Sequence, residues 1–183
     1  KKLLIDPMLS PIASPVSFVG IKRYEYSEDI MLHLIDEMPP IDAVFITHDH
    51  YDHLDYQSIV KLNSKVSHFF VPLGVSAHLV RWGIPKEKIT ELNWWEETEY
   101  QGLTVVLTPA RHFSGRDPFN IDTTLWGGWV ILGNNTRLYT SGDTGYDSHF
   151  KEIGKEYGPF DITLIEGAQY DPSWSDIHMV PEQ

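Results

Sequence analysis

The sequence contains no cysteine, which excludes disulfides and thiolate metal ligands, so any transition-metal site has to use His, Asp and Glu. Basic residues are also few, because 14 Lys and Arg stand against 26 Asp and Glu, for a formal net charge of −12. This charge disfavours broad electrostatic binding to nucleic acid or to an anionic membrane surface. No apolar run approaches the roughly 20 residues of a membrane-spanning helix. We therefore expect a soluble protein of the cytoplasm or the periplasm, and the sequence does not choose between them.

Apolar segments of strand length alternate with helical patterns along the 183 residues. Strands are predicted at 3–6, 43–47, 68–72, 103–109, 125–132, 137–141 and 161–167, and helices at 27–38, 55–63, 74–83 and 148–158. Ser27 is the expected N-cap of the first helix. The alternation predicts an α/β fold of mixed strand order, with residues 1–183 forming one domain.

The segment 46–55, ITHDHYDHLD, places three histidines and three aspartates within ten residues, directly after an apolar run. His48 and His50 are two positions apart, so both side chains can project the same way from an extended backbone. Asp52 and His53 follow where the chain turns towards the next helix. One loop can thus offer His48 and His50 to one metal ion, and Asp52 and His53 to another. A solvated loop with accidental histidines is the alternative, but HxHxDH after a strand is far more specific than HxH alone.

This motif resembles the signature of the metallo-β-lactamase-fold hydrolases, in which HxHxDH lies at the end of a core strand. Similarity to one branch, the N-acyl-phosphatidylethanolamine-hydrolysing phospholipase D-like proteins, is carried by IDPMLSPIASP, THDHYDHLD, PARHFSGR, LWGGWVIL and SGDTGY. The ascorbate-phosphate lactonases are more distant relatives. The resemblance implies a metallo-β-lactamase-like αββα sandwich that lacks its first strands and its C-terminal portion, so that 1–183 is a partial domain.

The resemblance also implies a dinuclear site with a bridging hydroxide as nucleophile. In this scheme the first metal ion is held by His48, His50 and His112, and the second by Asp52 and His53, with Asp143 bridging both. Zinc is expected, two ions per complete site, with Mn²⁺ or Fe²⁺ as alternatives, because imidazole and carboxylate bind all three. Taken alone, Asp143 in SGDTG is better explained as a turn residue. With five other ligand positions present, the interpretation as a ligand is favoured.

Two further residues belong to the predicted site. Family members carry a last metal-binding histidine on a strand beyond the position of Gln183, so the second metal is expected to lack one ligand. His178 is not taken as its replacement, because the matching histidine in the phospholipase-like branch lies near the active site without being a core ligand. A surface-loop histidine is an equal alternative. Asp52 and His178 are the predicted catalytic residues, and Asp6 is a candidate acceptor behind a metal-bound histidine, or a turn residue.

The expected reaction is hydrolysis of a small-molecule or lipid phosphodiester. Two divalent ions, two carboxylates and a hydroxide sum to roughly +1 by formal count, which attracts a singly charged substrate despite the acidic protein around it. A lactonase and a non-catalytic metal-binding protein are the alternatives. No nucleic-acid partner is expected, and the oligomeric state is not assigned.

Several other segments are candidate contributors to substrate binding. The apolar segment from Leu9 to Phe18 is a candidate lid or substrate wall. Ser114, Arg116 and Tyr146 are candidate substrate contacts, although solvated loop polarity explains them equally well.

Overall fold

The computed structural model describes residues 1–16, 19–22, 30–167 and 171–180. The strands are β1 (Leu3–Ile5), β2 (Ile12–Val16), β3 (Val19–Lys22), β4 (Ala43–Phe45), β5 (Phe69–Pro72), β6 (Ile89–Leu92), β7 (Glu97–Tyr100), β8 (Leu103–Thr108), β9 (Gly128–Leu132), β10 (Arg137–Thr140) and β11 (Ile162–Leu164). The helices are α1 (Ile30–Glu37), α2 (Tyr56–Leu62), α3 (Ser76–Arg81) and α4 (His149–Tyr157), with short 3₁₀ helices at Lys86–Lys88 and Pro172–Trp174. Ser27, the expected N-cap of the first helix, lies outside the described residues.

The strands form two main sheets, each drawn from one continuous half of the chain. The first sheet is parallel, has the order β1-β4-β5-β6 and uses residues 3–92. The second has the order β11-β10-β9-β8-β7 and uses residues 97–164. Within it β7 to β10 pair antiparallel, whereas β11 runs parallel with β10. The mixed strand order predicted from the sequence is confirmed, and β2 pairs with β3 in a separate hairpin.

An aromatic core lies between the two sheets. The rings of Phe45 and Phe70 stack with their centroids 5.0 Å apart, and Trp129 meets Phe45 edge-on at 5.6 Å. All three side chains are fully buried. The indole nitrogen of Trp129 also donates a 2.9 Å hydrogen bond to the carbonyl of Ile46, which satisfies its only polar atom. This contact ties the second sheet to the residue that opens the histidine-rich loop.

Helices cover the outer faces of both sheets. Because side chains alternate along a strand, β4 sends Phe45 into the aromatic core and Val44 to the opposite face, where Val44 belongs to one buried cluster with Ile59 of α2. On the outer face of the second sheet, Val106 of β8 joins a cluster with Ile153 of α4. The layers are therefore helices, sheet, sheet, helix, which is the αββα arrangement expected from the sequence. Each helix among the described residues is too short or too polar to cross a bilayer.

Strands from both sheets end at the same edge. β4 ends three residues before His48, β8 four residues before His112, and β10 three residues before Asp143. The loop after β4 closes in a turn, with the amide of His53 bonded to the carbonyl of His50 at 3.1 Å. It then enters α2 through Asp55, whose carboxylate accepts from the N–H of Ser58 and caps the helix. These strand ends place the polar loops side by side.

Candidate metal centre

Three imidazoles converge at this edge. Nε2 of His48 lies 2.8 Å from Nδ1 of His50, which lies 3.4 Å from Nε2 of His112. One ligand atom from each of the three lies within 4.8 Å of the others. His48 is fully buried, and the His112 side chain is only 2% exposed. This group, called the three-histidine group below, fits one transition-metal ion bound through three imidazole nitrogens.

The three-histidine group is electrically neutral near pH 7. Burial lowers the pKa of His48 well below its ordinary value and lowers the pKa of His112 to about 4. Burial lowers the pKa of His50 as well, although nearby carboxylates oppose the shift. Neutral imidazole is the form that binds a metal ion. Protons therefore compete little for these three ligands near pH 7.

A second group adjoins the first. Nε2 of His53 lies 3.2 Å from Oδ2 of Asp143 and 3.8 Å from Oδ2 of Asp52. The same Asp143 oxygen lies 4.0 Å from Nε2 of His112, so this carboxylate stands between the two groups. The Asp52 side chain is 63% exposed and lies at the open rim. The structure thus brings together the six residues that the sequence predicts as ligands, with one oxygen of Asp143 near both groups.

The pKa of His53 is shifted in the opposite direction from those of the three-histidine group. Burial opposes protonation of this imidazole, but the carboxylates of Asp6 and Asp143 outweigh burial and raise its pKa well above the ordinary value. Burial favours the protonated form of Asp143, but the contact with His53 favours the carboxylate more strongly. The pKa of Asp143 is therefore lowered. In the metal-free protein, the two carboxylates favour the imidazolium form of His53. A cation that binds at Nε2 has to displace this proton.

Asp6 holds the ligand loop from behind. Its Oδ2 lies 2.9 Å from Nδ1 of His53, and its two oxygens accept from the N–H and the hydroxyl of Thr47, at 2.8 and 2.6 Å. The Thr47 hydroxyl in turn lies 3.0 Å from Nδ1 of His48. Asp6 has a φ of +42°, a conformation that aspartate tolerates better than most residues. The interpretation of Asp6 as an acceptor behind a predicted metal ligand agrees with this geometry.

The segment 171–180 closes one side of the site. Nδ1 of His178 lies 4.0 Å from Oδ2 of Asp143 and 3.3 Å from Oε2 of Glu166. The carbonyl of Ile177 accepts from Nδ1 of His112 at 3.1 Å. One ligand atom each from His112, Asp143 and His178 also lies within 4.8 Å of the others. The His178 side chain is 12% exposed, so this histidine lies inside the site and not on an exposed loop.

No sequence motif marks Glu166, whose carboxylate is 6% exposed and borders the site. The signal that could have revealed it is positional. Glu166 lies near the end of the predicted strand 161–167 and just after β11, and His112 and Asp143 likewise lie just after β8 and β10, so a carboxylate at such a strand end is a candidate.

The predicted substrate contacts have other partners in the structure. Ser114 is buried and donates to a backbone carbonyl at 2.6 Å. Arg116 lies with its guanidinium 4.0 Å from the centre of the Tyr51 ring, and its Nη1 donates to the carbonyl of Asp49 at 2.6 Å. Tyr146 is exposed and stacks on a neighbouring aromatic ring. Ser114 and Arg116 therefore support the ligand loops and are not free polar groups.

Part of the candidate lid forms a cavity wall. Pro11, Ile12 and Pro15, from the segment that contains β2, line one side of a cavity of about 490 Å³. The other side includes Tyr51 of the ligand loop and Trp82 after α3. Phe18, the end of the candidate lid, lies outside the described residues.

Comparisons with known proteins show the family of the chain. Residues 1–183 match the family model described as a beta-lactamase superfamily domain. An uncharacterised protein of Mycobacterium tuberculosis is 46% identical over 183 residues, which are all of this chain and 48% of that protein. The N-acyl-phosphatidylethanolamine-hydrolyzing phospholipase D 1 of Caenorhabditis elegans is 36% identical over 195 residues, which cover 100% of this chain and 53% of that enzyme. The chain thus spans about half the length of the curated relatives it matches.

A solved structure gives the same fold. The isothiocyanate hydrolase from Delia radicum gut bacteria superposes with a TM-score of 0.66 and 20% identity, over 98% of this chain and 70% of that one. At this identity the likeness bears on the fold alone.

Proposed function

Because the chain belongs to the metallo-β-lactamase superfamily, we propose that it acts as a metal-dependent hydrolase whose substrate is a phosphodiester. Water cleaves one P–O bond in this reaction, and the products are a phosphomonoester and an alcohol. The observation that carries the proposal is the three-histidine group beside the Asp143 carboxylate. Neutral, buried nitrogens next to a carboxylate are a ligand set for a Lewis-acidic cation.

The described residues fit two ions, with zinc proposed and Mn²⁺ or Fe²⁺ as alternatives. The first site comprises His48, His50 and His112, the second Asp52 and His53, and Asp143 reaches both. When bound, such ions supply positive charge beside the phosphoryl oxygens and lower the pKa of water, so that hydroxide is available near neutral pH.

The remaining steps are assigned to the chain's own side chains. Asp52, at the open rim, accepts a hydrogen bond from the attacking water and directs its lone pair towards phosphorus. His178, opposite Asp143, donates a hydrogen bond to a phosphoryl oxygen or to the leaving oxygen. Asp6 and Thr47 keep the imidazoles of the ligand loop in place through the transition state. No covalent intermediate on the protein is needed.

A phosphodiester is favoured over a lactone by similarity and not by charge alone. A positively charged centre stabilises a pentacovalent phosphorane and a tetrahedral carbonyl adduct by the same means. The 36% identity to a phospholipase D of Caenorhabditis elegans over the whole of this chain supports the phosphodiester.

The proposal is tested with the intact, metal-loaded protein against four substrate classes: bis-aryl phosphodiesters, N-acyl phospholipids, lactones and a chromogenic β-lactam. We expect the highest kcat/KM with a phosphodiester. A lactone preferred over every phosphodiester would establish the lactonase alternative. Stoichiometric metal with no turnover of any of the four would favour the non-catalytic alternative.

A further inference from the structure

Glu166 connects three parts of the site. Its Oε1 accepts from the N–H of Met179 at 2.5 Å, and its Oε2 lies 3.3 Å from Nδ1 of His178. Its own N–H donates to the hydroxyl of Ser141 at 3.0 Å, two residues before Asp143. Through its backbone and its buried side chain, this one residue therefore joins the end of β11, the end of β10 and the segment that carries His178.

The contact between Glu166 and His178 is the second carboxylate–imidazole contact of this kind in the site. Asp6 meets Nδ1 of His53 from behind and leaves Nε2 facing Asp143. Glu166 also meets the Nδ1 of an imidazole, that of His178, and this same nitrogen lies 4.0 Å from Oδ2 of Asp143. A carboxylate held at one ring nitrogen fixes both the tautomer and the orientation of an imidazole.

The backbone of the His178 segment has attachments of its own. Asp176 pairs with Arg111 at 2.6 Å. The backbone of Asp176 also packs so closely on Gly145 that a Cβ there would collide with its carbonyl oxygen. These contacts hold the segment in place but do not determine how the His178 ring is turned. The ring itself meets Glu166 at 3.3 Å, Asp143 at 4.0 Å and the His112 ring edge-on, and the Glu166 contact is the shortest of its polar contacts.

We propose that Glu166 is the positioning residue for His178, acting on the reaction only through this imidazole. It holds the imidazole beside Asp143, in the orientation in which the ring can meet the bound substrate. This inference rests on the proposed function, in which His178 touches the substrate.

The test is a double-mutant cycle on the intact, metal-loaded protein with a bis-aryl phosphodiester. Glu166→Gln retains the size of the side chain, but its amide cannot accept at both oxygens. We expect kcat to fall about tenfold while KM stays within about twofold, as for other residues that orient a catalytic imidazole. The double variant Glu166→Gln/His178→Ala should be no slower than His178→Ala alone. Glu152→Gln, at an exposed position of α4, is the matched control and should leave both constants unchanged.

Two outcomes overturn the inference: wild-type kcat in Glu166→Gln, or losses that multiply in the double variant. Metal content and melting temperature are measured for each variant, because a decrease in either would indicate a general structural defect. If Glu166→Gln does not fold, Glu166→Asp, which keeps the charge but is too short for both contacts, takes its place. If the wild type cleaves no phosphodiester, the proposed function fails. The inference is then decided by NMR of the His178 ring, where resonances unchanged in Glu166→Gln contradict it.

Discussion

Oδ2 of Asp6 lies 2.9 Å from Nδ1 of His53, although 47 positions separate the two residues in sequence. Strand pairing brings them together, because β1 lies parallel to β4 and both strands end at the edge where the ligand loop begins. A carboxylate in this position orients the ring and makes Nε2 a stronger ligand.

Replacing Asp6 should therefore weaken metal binding without removing a ligand. We expect Asp6→Asn to lower affinity about 10- to 100-fold, measured by competition with a chelator of known affinity. Asp42→Asn is the control, since Asp42 bonds to the N–H of Lys2 at the opposite end of β1. Equal affinities for Asp6→Asn and wild type would show that the contact does not support the metal.

Metal binding itself should depend on the three-histidine group. Elemental analysis after dialysis is expected to find at least one tightly held transition-metal ion in the wild-type protein, and none bound as tightly in His48→Ala. His33→Ala is the control, because the His33 side chain is 74% exposed on α1. Absence of stoichiometric metal from the wild type, even after supplementation, would sink the proposed centre.

Asp52 should matter for turnover far more than for folding. Its side chain is 63% exposed and lies 3.8 Å from Nε2 of His53, so its removal leaves the aromatic core intact. We expect Asp52→Ala to reduce kcat at least about 100-fold, with an unchanged melting temperature. Asp42→Ala should behave as wild type in the same assay. Wild-type turnover in Asp52→Ala would refute the role given to this carboxylate.

Acid should destabilise the metal-free protein through His112. Burial lowers its pKa from 6.5 to about 4, so the folded state favours the neutral ring. The resulting stability is present above pH 6.5 and is lost as the pH falls from 6.5 towards 4. At pH 5 the loss in unfolding free energy from this residue is about 2 kcal/mol. Urea unfolding in chelator at pH 6.5 and pH 5 should therefore show a smaller loss for His112→Asn, and equal losses in both proteins would contradict the assignment.

Binding of the second metal ion should release a proton. Asp6 and Asp143 raise the pKa of His53 well above its ordinary value, which favours a protonated ring before the ion binds. Calorimetric titrations of the metal-free protein, in buffers of different ionisation enthalpy, should give about one proton released per second-site ion. The release should decrease in Asp6→Asn, which removes one of the two carboxylates. Equal enthalpies in all buffers would contradict a protonated His53.

The ligand loops could be predicted from the sequence because the direction of each strand decides at which edge of the sheet it ends. β8 and β10 are both antiparallel to β9, so they run in the same direction and both end at the edge where β4 ends. A polar residue just after each of these strands consequently reaches the same place, as His48, His112 and Asp143 do. Glu166 follows β11, which is parallel with β10, and reaches the site for the same reason.

Other features depend on contacts that leave no local pattern. Strands β6 and β7 were not predicted, because Glu91, Glu97 and Glu99 interrupt their apolar residues. Nε2 of His78 lies 3.4 Å from the fully buried carboxylate of Asp49, a contact that only the packing of α3 creates. The predicted strand 125–132 begins at Gly128, because Gly127 donates instead to the carbonyl of Thr47.

Each of the two sheets is built from one continuous half of the chain, and this has a mechanical consequence when a metal ion is bound. Residues before position 93 supply His48, His50, Asp52 and His53, whereas residues after position 96 supply His112 and Asp143. A cation held by both halves acts as a reversible cross-link between them, so neither half can open without releasing it. Amide hydrogen exchange in β5 and in β8 should then slow together when metal is added. A protein cut between β6 and β7 would reassemble in proportion to the free metal concentration.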